Sequence, residues 1–120
     1  MSHYLIGLVA DTHGLVRPEL LDALQGVDRI VHAGDVGKKE VIEKLEAIAP
    51  VTAVRGNMDK ERWASRLRYT ETVEVGDVLI YVIHDLAELG LNPSASGIRV
   101  VVSGHSHVPA REARDGVLYL

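Results

Sequence analysis

Seven side chains able to hold a metal ion occur in five short stretches: Asp11 and His13, Asp35, Asn57, His84, and His105 and His107. Two carboxylates, one amide and four imidazoles form a mixed oxygen and nitrogen set. Such a set suits borderline divalent ions (Mn, Fe, Co, Ni or Zn) better than Ca or Mg. Seven donors are too many for one tetrahedral ion. They suffice for two ions if one carboxylate bridges them. Ion pairs of this kind lie roughly 3.5–4 Å apart and carry out hydrolysis at phosphorus.

Each stretch closes an apolar run, which identifies the elements that must position it. Tyr4 to Ala10 is almost continuously apolar, as expected of a parallel strand covered on both faces, and ends in Asp11-Thr12-His13-Gly14. Arg29 to Ala33 is a second strand ending in Gly34-Asp35, and Val51 to Val54 a third ending in Arg55-Gly56-Asn57-Met58-Asp59. Val78 to Ile83 runs into His84, and Ile98 to Ser103 into Gly104-His105-Ser106-His107. Open α/β sheets bind their ligands at such strand ends. The glycines at 14, 34, 56 and 104 suit tight turns or close backbone approach.

Between the first three strands the pattern is helical. Pro18 and Glu19 open a short helix with Leu20, Leu21 and Leu24 on its buried face, and Gly26 stops it. Lys38 to Ala49 is amphipathic, with Val41, Ile42, Leu45, Ile48 and Ala49 as one stripe, and Pro50 closes it. The second half reads as mostly antiparallel. Thr72 to Val75 alternates, Gly76-Asp77 turns, and a second tight turn falls at Arg114-Asp115-Gly116-Val117. A βαβαβ half followed by hairpins predicts two sheets packed face to face with helices outside.

The chain has 120 residues, which predicts a single domain over 1–120. There is no Phe, so the core must be aliphatic, and no Cys, which excludes thiolate zinc sites, disulfides and cysteine nucleophiles. A net charge of −4 argues against non-specific binding of nucleic acid. The apolar run before Asp11 is too short for a membrane span and lacks the basic leader of a signal peptide. A cytoplasmic protein is the expectation.

Taken in order, these motifs resemble the calcineurin-like metallophosphoesterases. That series is Asp-x-His, Gly-Asp, Gly-Asn-x-Asp or Glu, a strand-end His, and Gly-His-x-His; here it is Asp11-Thr12-His13, Gly34-Asp35, Gly56-Asn57-Met58-Asp59, His84 and Gly104-His105-Ser106-His107. The small size is most similar to the YfcE-like phosphodiesterase branch, with the retromer scaffold subunit as a distant cousin. The resemblance implies an α/β fold of two face-to-face mixed sheets flanked by helices, in four α/β/β/α layers. It implies two divalent ions, Mn above all with Fe, Ni, Co or Zn as alternatives. Asp11, His13, Asp35 and His107 would hold the first, and Asp35, Asn57, His84 and His105 the second, with Asp35 bridging. It further implies hydrolysis of a small phosphoester by a hydroxide held between the ions, with Asp35, Asn57 and His84 closest to the chemistry. A homo-oligomer is among the expected assemblies.

Two positions and the C-terminal end depart from the family pattern. Met58 stands where a His commonly protonates the leaving group, so a preference for good leaving groups is expected. Asp85 replaces the usual Gly after the strand-end His and adds charge or an orienting carboxylate. The family continues with another strand and an Asn-Pro-Gly-Ser turn, so the sequence is expected to be a C-terminally shortened version of that fold. Asp59 and Arg55 are candidates for supporting the ligands or touching substrate. His32 reads as a satisfied core histidine or a support for the ligands, and Trp63 and Tyr69 as packing residues ahead of a pocket rim or a partner contact. The competing function is a protein-binding scaffold on the same fold.

Overall fold

The computed structural model of the chain describes residues 3–105 and 111–120. Strands β1 (Ile6–Val9), β2 (Arg29–His32) and β3 (Val51–Ala53) form a parallel sheet in that order, with α1 (Pro18–Ala23) and α2 (Lys39–Glu46) as the crossovers. Strands β4 (Thr70–Val75), β5 (Val78–Ile83), β6 (Ile98–Val102), β7 (Glu112–Arg114) and β8 (Val117–Tyr119) form the second sheet, in the order β4-β5-β6-β8-β7. Its ladders are antiparallel at β4–β5 and β7–β8 and parallel at β5–β6 and β6–β8. It is thus more parallel than the hairpin signals alone suggest, because those signals report only neighbours in sequence.

The sheets pack face to face through one aliphatic cluster. Val31, Ala33 and Val54 from the first sheet meet Val73, Val75, Ile80, Val82 and Val102 from the second. The other face of the parallel sheet is covered by the helices: Ile30 and Val9 pack with Leu24 of the first crossover and with Val41, Leu45 and Ala49 along the second. The central strand β2 is buried on both sides, which explains its unbroken apolar run. The outer face of the second sheet is covered by less: Ile83, Ile98, Val101 and Val117 pack with Leu86, which opens a 3₁₀ turn, Leu86–Glu88. The fourth layer is therefore thin.

The first strand begins at Ile6, two residues later than the apolar run, because Ile6 pairs with Arg29, the first residue of β2; Tyr4 and Leu5 are exposed. The turn between β7 and β8 has Asp115 and Gly116 both at positive φ, 52° and 77°, as a tight Asp-Gly hairpin requires. Among the described residues no helix is long and apolar enough to cross a membrane.

Candidate metal centre

The loops after β1, β2 and β3 are laced to one another before any ligand is considered. Asp11 N–H donates to the Gly34 carbonyl (3.0 Å), His13 to Asp35 (2.9 Å) and Gly14 to Val36 (2.7 Å), extending the β1–β2 pairing past the strand ends. The Asp59 side chain, buried at 2% exposure, accepts from three backbone amides: Val36 at 3.1 Å, Gly37 at 2.9 Å and Gly56 at 2.9 Å. One carboxylate thereby ties the loop after β2 to the loop after β3 with charge-assisted hydrogen bonds. Its oxygens serve the backbone, so it shapes the site rather than presenting a free donor.

Close approach demands glycine beside Asp35 and His84. A Cβ on Gly34 would lie 2.7 Å from His84 Nδ1, and its φ is +102°. A Cβ on Gly56 would collide with the backbone nitrogen and side chain of Asp35. The ligand-type residues themselves carry strain. Among the described residues, the non-glycine positions at positive φ are Asp11, His13, Asp35, His105 and Asp115. The left-handed region costs roughly 1–3 kcal/mol for a residue with a side chain, and such outliers gather at functional sites. Four of these five are residues that can bind a metal, and the fifth is the hairpin Asp.

Two groups of donors result. In one, ligand atoms of Asp35, His84 and His105 lie within 4.8 Å of one another; in the other, those of Asp11, His13 and Asp35 do. Asp35 belongs to both. The first group is the more buried, with Asp35 and His84 enclosed and His105 exposed. Its imidazole is oriented by the backbone: His84 Nδ1 lies 2.8 Å from the Ala33 carbonyl, which can only accept, so Nδ1 carries the proton. In the neutral ring, Nε2 then offers a lone pair, the arrangement seen behind metal-bound histidines. Nε2 is 3.3 Å from Asp35 Oδ2 and 3.0 Å from Asn57 Oδ1. Asp35 Oδ1 also accepts from Met58 N–H at 2.9 Å.

The Asn57 amide supplies the test of fit. With its oxygen inward it faces only acceptors, the Asp35 carboxylate and His84 Nε2. Turned over, its NH₂ would donate to His84 Nε2 (3.0 Å) and to Asp35 Oδ2 (3.2 Å) and Oδ1 (3.3 Å). Carboxylate, imidazole and amide thus converge on one space, which the turned amide's own NH₂ serves and in which its oxygen, turned inward, would join the other two on a cation. The residues present fit a divalent ion.

Asp11 and His105 meet through the backbone, His105 N–H donating to Asp11 Oδ2 at 3.2 Å. The rings of His84 and His105 stand edge to face with centroids 5.1 Å apart. Asp85 Oδ1 accepts from Ala87 N–H at 3.0 Å, while its Oδ2 lies 4.0 Å from His105 Nε2. Arg55 Nε donates to the Asp59 carbonyl at 2.8 Å, and its guanidinium lies over the Tyr69 ring. His107 lies outside the described residues.

Next to this open donor set stands a closed network. His32 is fully buried. Gly34 N–H donates to its Nδ1 at 3.1 Å, so Nε2 carries the proton and donates to Thr12 Oγ1 at 2.9 Å; the Thr12 hydroxyl donates onward to the Val36 carbonyl at 2.9 Å. Burial pushes the His32 pKa from 6.5 down to about 4, with Asp59 opposing. Thr12 is a residue the motif reading passes over, since no spacing rule marks a hydroxyl between two ligands. Trp63 is partly buried against the helix-side core, but Tyr69 is 65% exposed and is no packing residue.

A family model for the calcineurin-like phosphoesterase superfamily domain matches residues 4–120. The chain belongs to that superfamily. Two archaeal relatives, each named "Probable metallophosphoesterase", are similar over most of this phosphoesterase-family chain. The one from Methanocaldococcus jannaschii is 37% identical over 88% of the chain and 59% of its own length. The one from Methanothermobacter thermautotrophicus is 39% identical over 95% of the chain and 73% of its own length. The chain thus spans a little over half of the first. Among solved structures, YfcE, a phosphoesterase from E. coli, superposes with TM-score 0.71 at 25% identity, covering 95% of this chain and 76% of that one. Vacuolar Protein Sorting 29 from Cryptosporidium parvum superposes with TM-score 0.81 at 19% identity, covering 98% and 72%, and shows the shared fold.

Proposed function

We propose that this chain is a metal-dependent phosphodiesterase working with two divalent ions, Mn above all. Asp11, His13, Asp35 and His107 hold one ion, and Asp35, Asn57, His84 and His105 the other. The observation that carries this reading is the sharing of Asp35 between two donor groups, since only a carboxylate has two oxygens with which to bridge. Bound ions would supply Lewis-acid activation of water and of the phosphoryl oxygens. The chain's own part is positional. Ala33 orients His84, the Met58 amide restrains Asp35, and the left-handed turns aim Asp11, His13 and His105 without a search on binding. Asn57 adds a donor without adding charge, which leaves the centre positive enough for a phosphate. Met58 follows it with a thioether that has no proton to give, so esters with good leaving groups are favoured. A small phosphoester is the substrate class, and self-association is the assembly we propose.

A scaffold function on the same fold is the second reading. Met58 in the position of a proton donor speaks for it, and the fold shared with Vacuolar Protein Sorting 29 makes it plausible. Hydrolysis of bis-p-nitrophenyl phosphate with added Mn²⁺ separates the two. The enzyme reading expects turnover that needs the metal and falls on the order of 10²–10³-fold or more in Asp35→Asn. Equal rates for the protein and the variant across several divalent metals would leave the scaffold reading standing.

A further inference from the structure

Met58 and Tyr69 are the two most exposed large hydrophobic residues among those described, at 60% and 65%, and both belong to segments that build the donor set. Met58 follows Asn57 in its turn, with its N–H on Asp35 Oδ1. Tyr69 precedes Thr70, whose ladder partner Ile83 immediately precedes His84. Arg55 connects the two segments. Its Nε donates to the Asp59 carbonyl at 2.8 Å, its N–H donates to the Arg68 carbonyl at 2.7 Å, and its guanidinium carbon lies 5.3 Å from the Tyr69 centroid. The cation that braces the turn therefore covers one face of the tyrosine and leaves the other to solvent. A ring held this way is already ordered, so a flat group stacking on it meets little entropic cost.

We propose that Met58 and Tyr69 form a ledge for the aromatic leaving group of the phosphoester, an aryl ring rather than an alkyl chain. The proposal rests on the phosphodiesterase reading and narrows its substrate class. The chemistry agrees with the surface. Hydrolysis breaks the P–O bond to the aromatic oxygen, which departs with the bonding pair as an aryloxide. Water provides the oxygen that bonds to phosphorus and gives its proton to solvent. An aryloxide is stable enough to leave unprotonated, so the thioether of Met58 is no handicap, and it offers a polarisable surface to the ring.

Calorimetric titration of the Mn²⁺-loaded protein with inorganic phosphate, methyl phosphate and phenyl phosphate tests the ledge without relying on turnover. Phenyl phosphate is expected to bind about fivefold to tenfold more tightly than methyl phosphate, as stacking on one ring allows. The gap should close in Tyr69→Ala and narrow in Met58→Ala, while inorganic phosphate binds Tyr69→Ala as it binds the unaltered chain. Equal affinity for the two esters, with inorganic phosphate still bound, would overturn the ledge and leave the phosphodiesterase reading intact. A gap that survives Tyr69→Ala overturns it too. Failure of all three ligands to bind would overturn both.

Discussion

Around His32 the ring is closed off by a backbone amide and a hydroxyl, whereas the ring of His84 shares its space with two other ligand-type side chains. Both histidines are buried, at 0% and 4% exposure, and both are held by the backbone near Gly34. The difference lies in the second nitrogen. That of His32 is spent on Thr12, which passes its own proton to Val36. That of His84 faces Asp35 and Asn57. A network closed by backbone groups stiffens a fold, and one made among ligand-type side chains can exchange its internal hydrogen bonds for an ion. The lesson is that burial alone does not mark a ligand; the company of other ligand-type side chains does.

The contrast can be broken from either side. The largest effect is expected on the closed side. Asp59→Ala strips three backbone amides of their acceptor and should lower stability by about 3–5 kcal/mol, read as a fall in the urea midpoint with the slope unchanged. A small change in metal-free stability would show that Asp59 is not the tie we describe.

Next in size is the response to acid. The folded His32 pKa of about 4 lies below its ordinary 6.5, so between these values the unfolded chain binds a proton the folded one refuses. Stability from this group is therefore full above pH 6.5 and lost as pH falls toward 4, a loss of roughly 2–3 kcal/mol by pH 4.5. Denaturant midpoints in chelator at pH 7 and pH 4.5 should differ less for His32→Gln than for the unaltered chain. An identical acid response in both would assign the loss to other groups.

The smallest effect belongs to the open side. Asn57 is exposed, and Asn57→Ala should change metal-free stability by less than about 1 kcal/mol. It should nonetheless shrink the rise in melting temperature produced by added Mn²⁺, because an ion bound only by the folded state stabilises it in proportion to affinity. An undiminished rise would remove Asn57 from the ligand set.

Much of this molecule is legible along the chain. The apolar runs before Asp11, Asp35, Asn57, His84 and His105 are local patterns, and a residue that ends a buried strand is delivered to the sheet's end whatever lies elsewhere. The Asp-Gly turn at 115–116 and the stripe through Val41 and Leu45 are local in the same sense. The parallel pairings of β5 with β6 and of β6 with β8 were not legible, because hydrogen-bond partners distant in sequence leave no mark in periodicity.

The site divides along the same line. Residue type and strand-end position mark the donors, since ligation chemistry belongs to single side chains. Whether a given polar group is a donor or a brace is a property of its neighbours. Asp59 and Asp35 are both buried acids beside glycines, and only the three amides around one and the imidazole beside the other tell them apart. Tyr69 is apolar by composition, yet it is left in solvent by the turn into β4 and covered on one face by Arg55. Those assignments depend on loops brought together from separate parts of the chain, and tertiary packing alone brings them together.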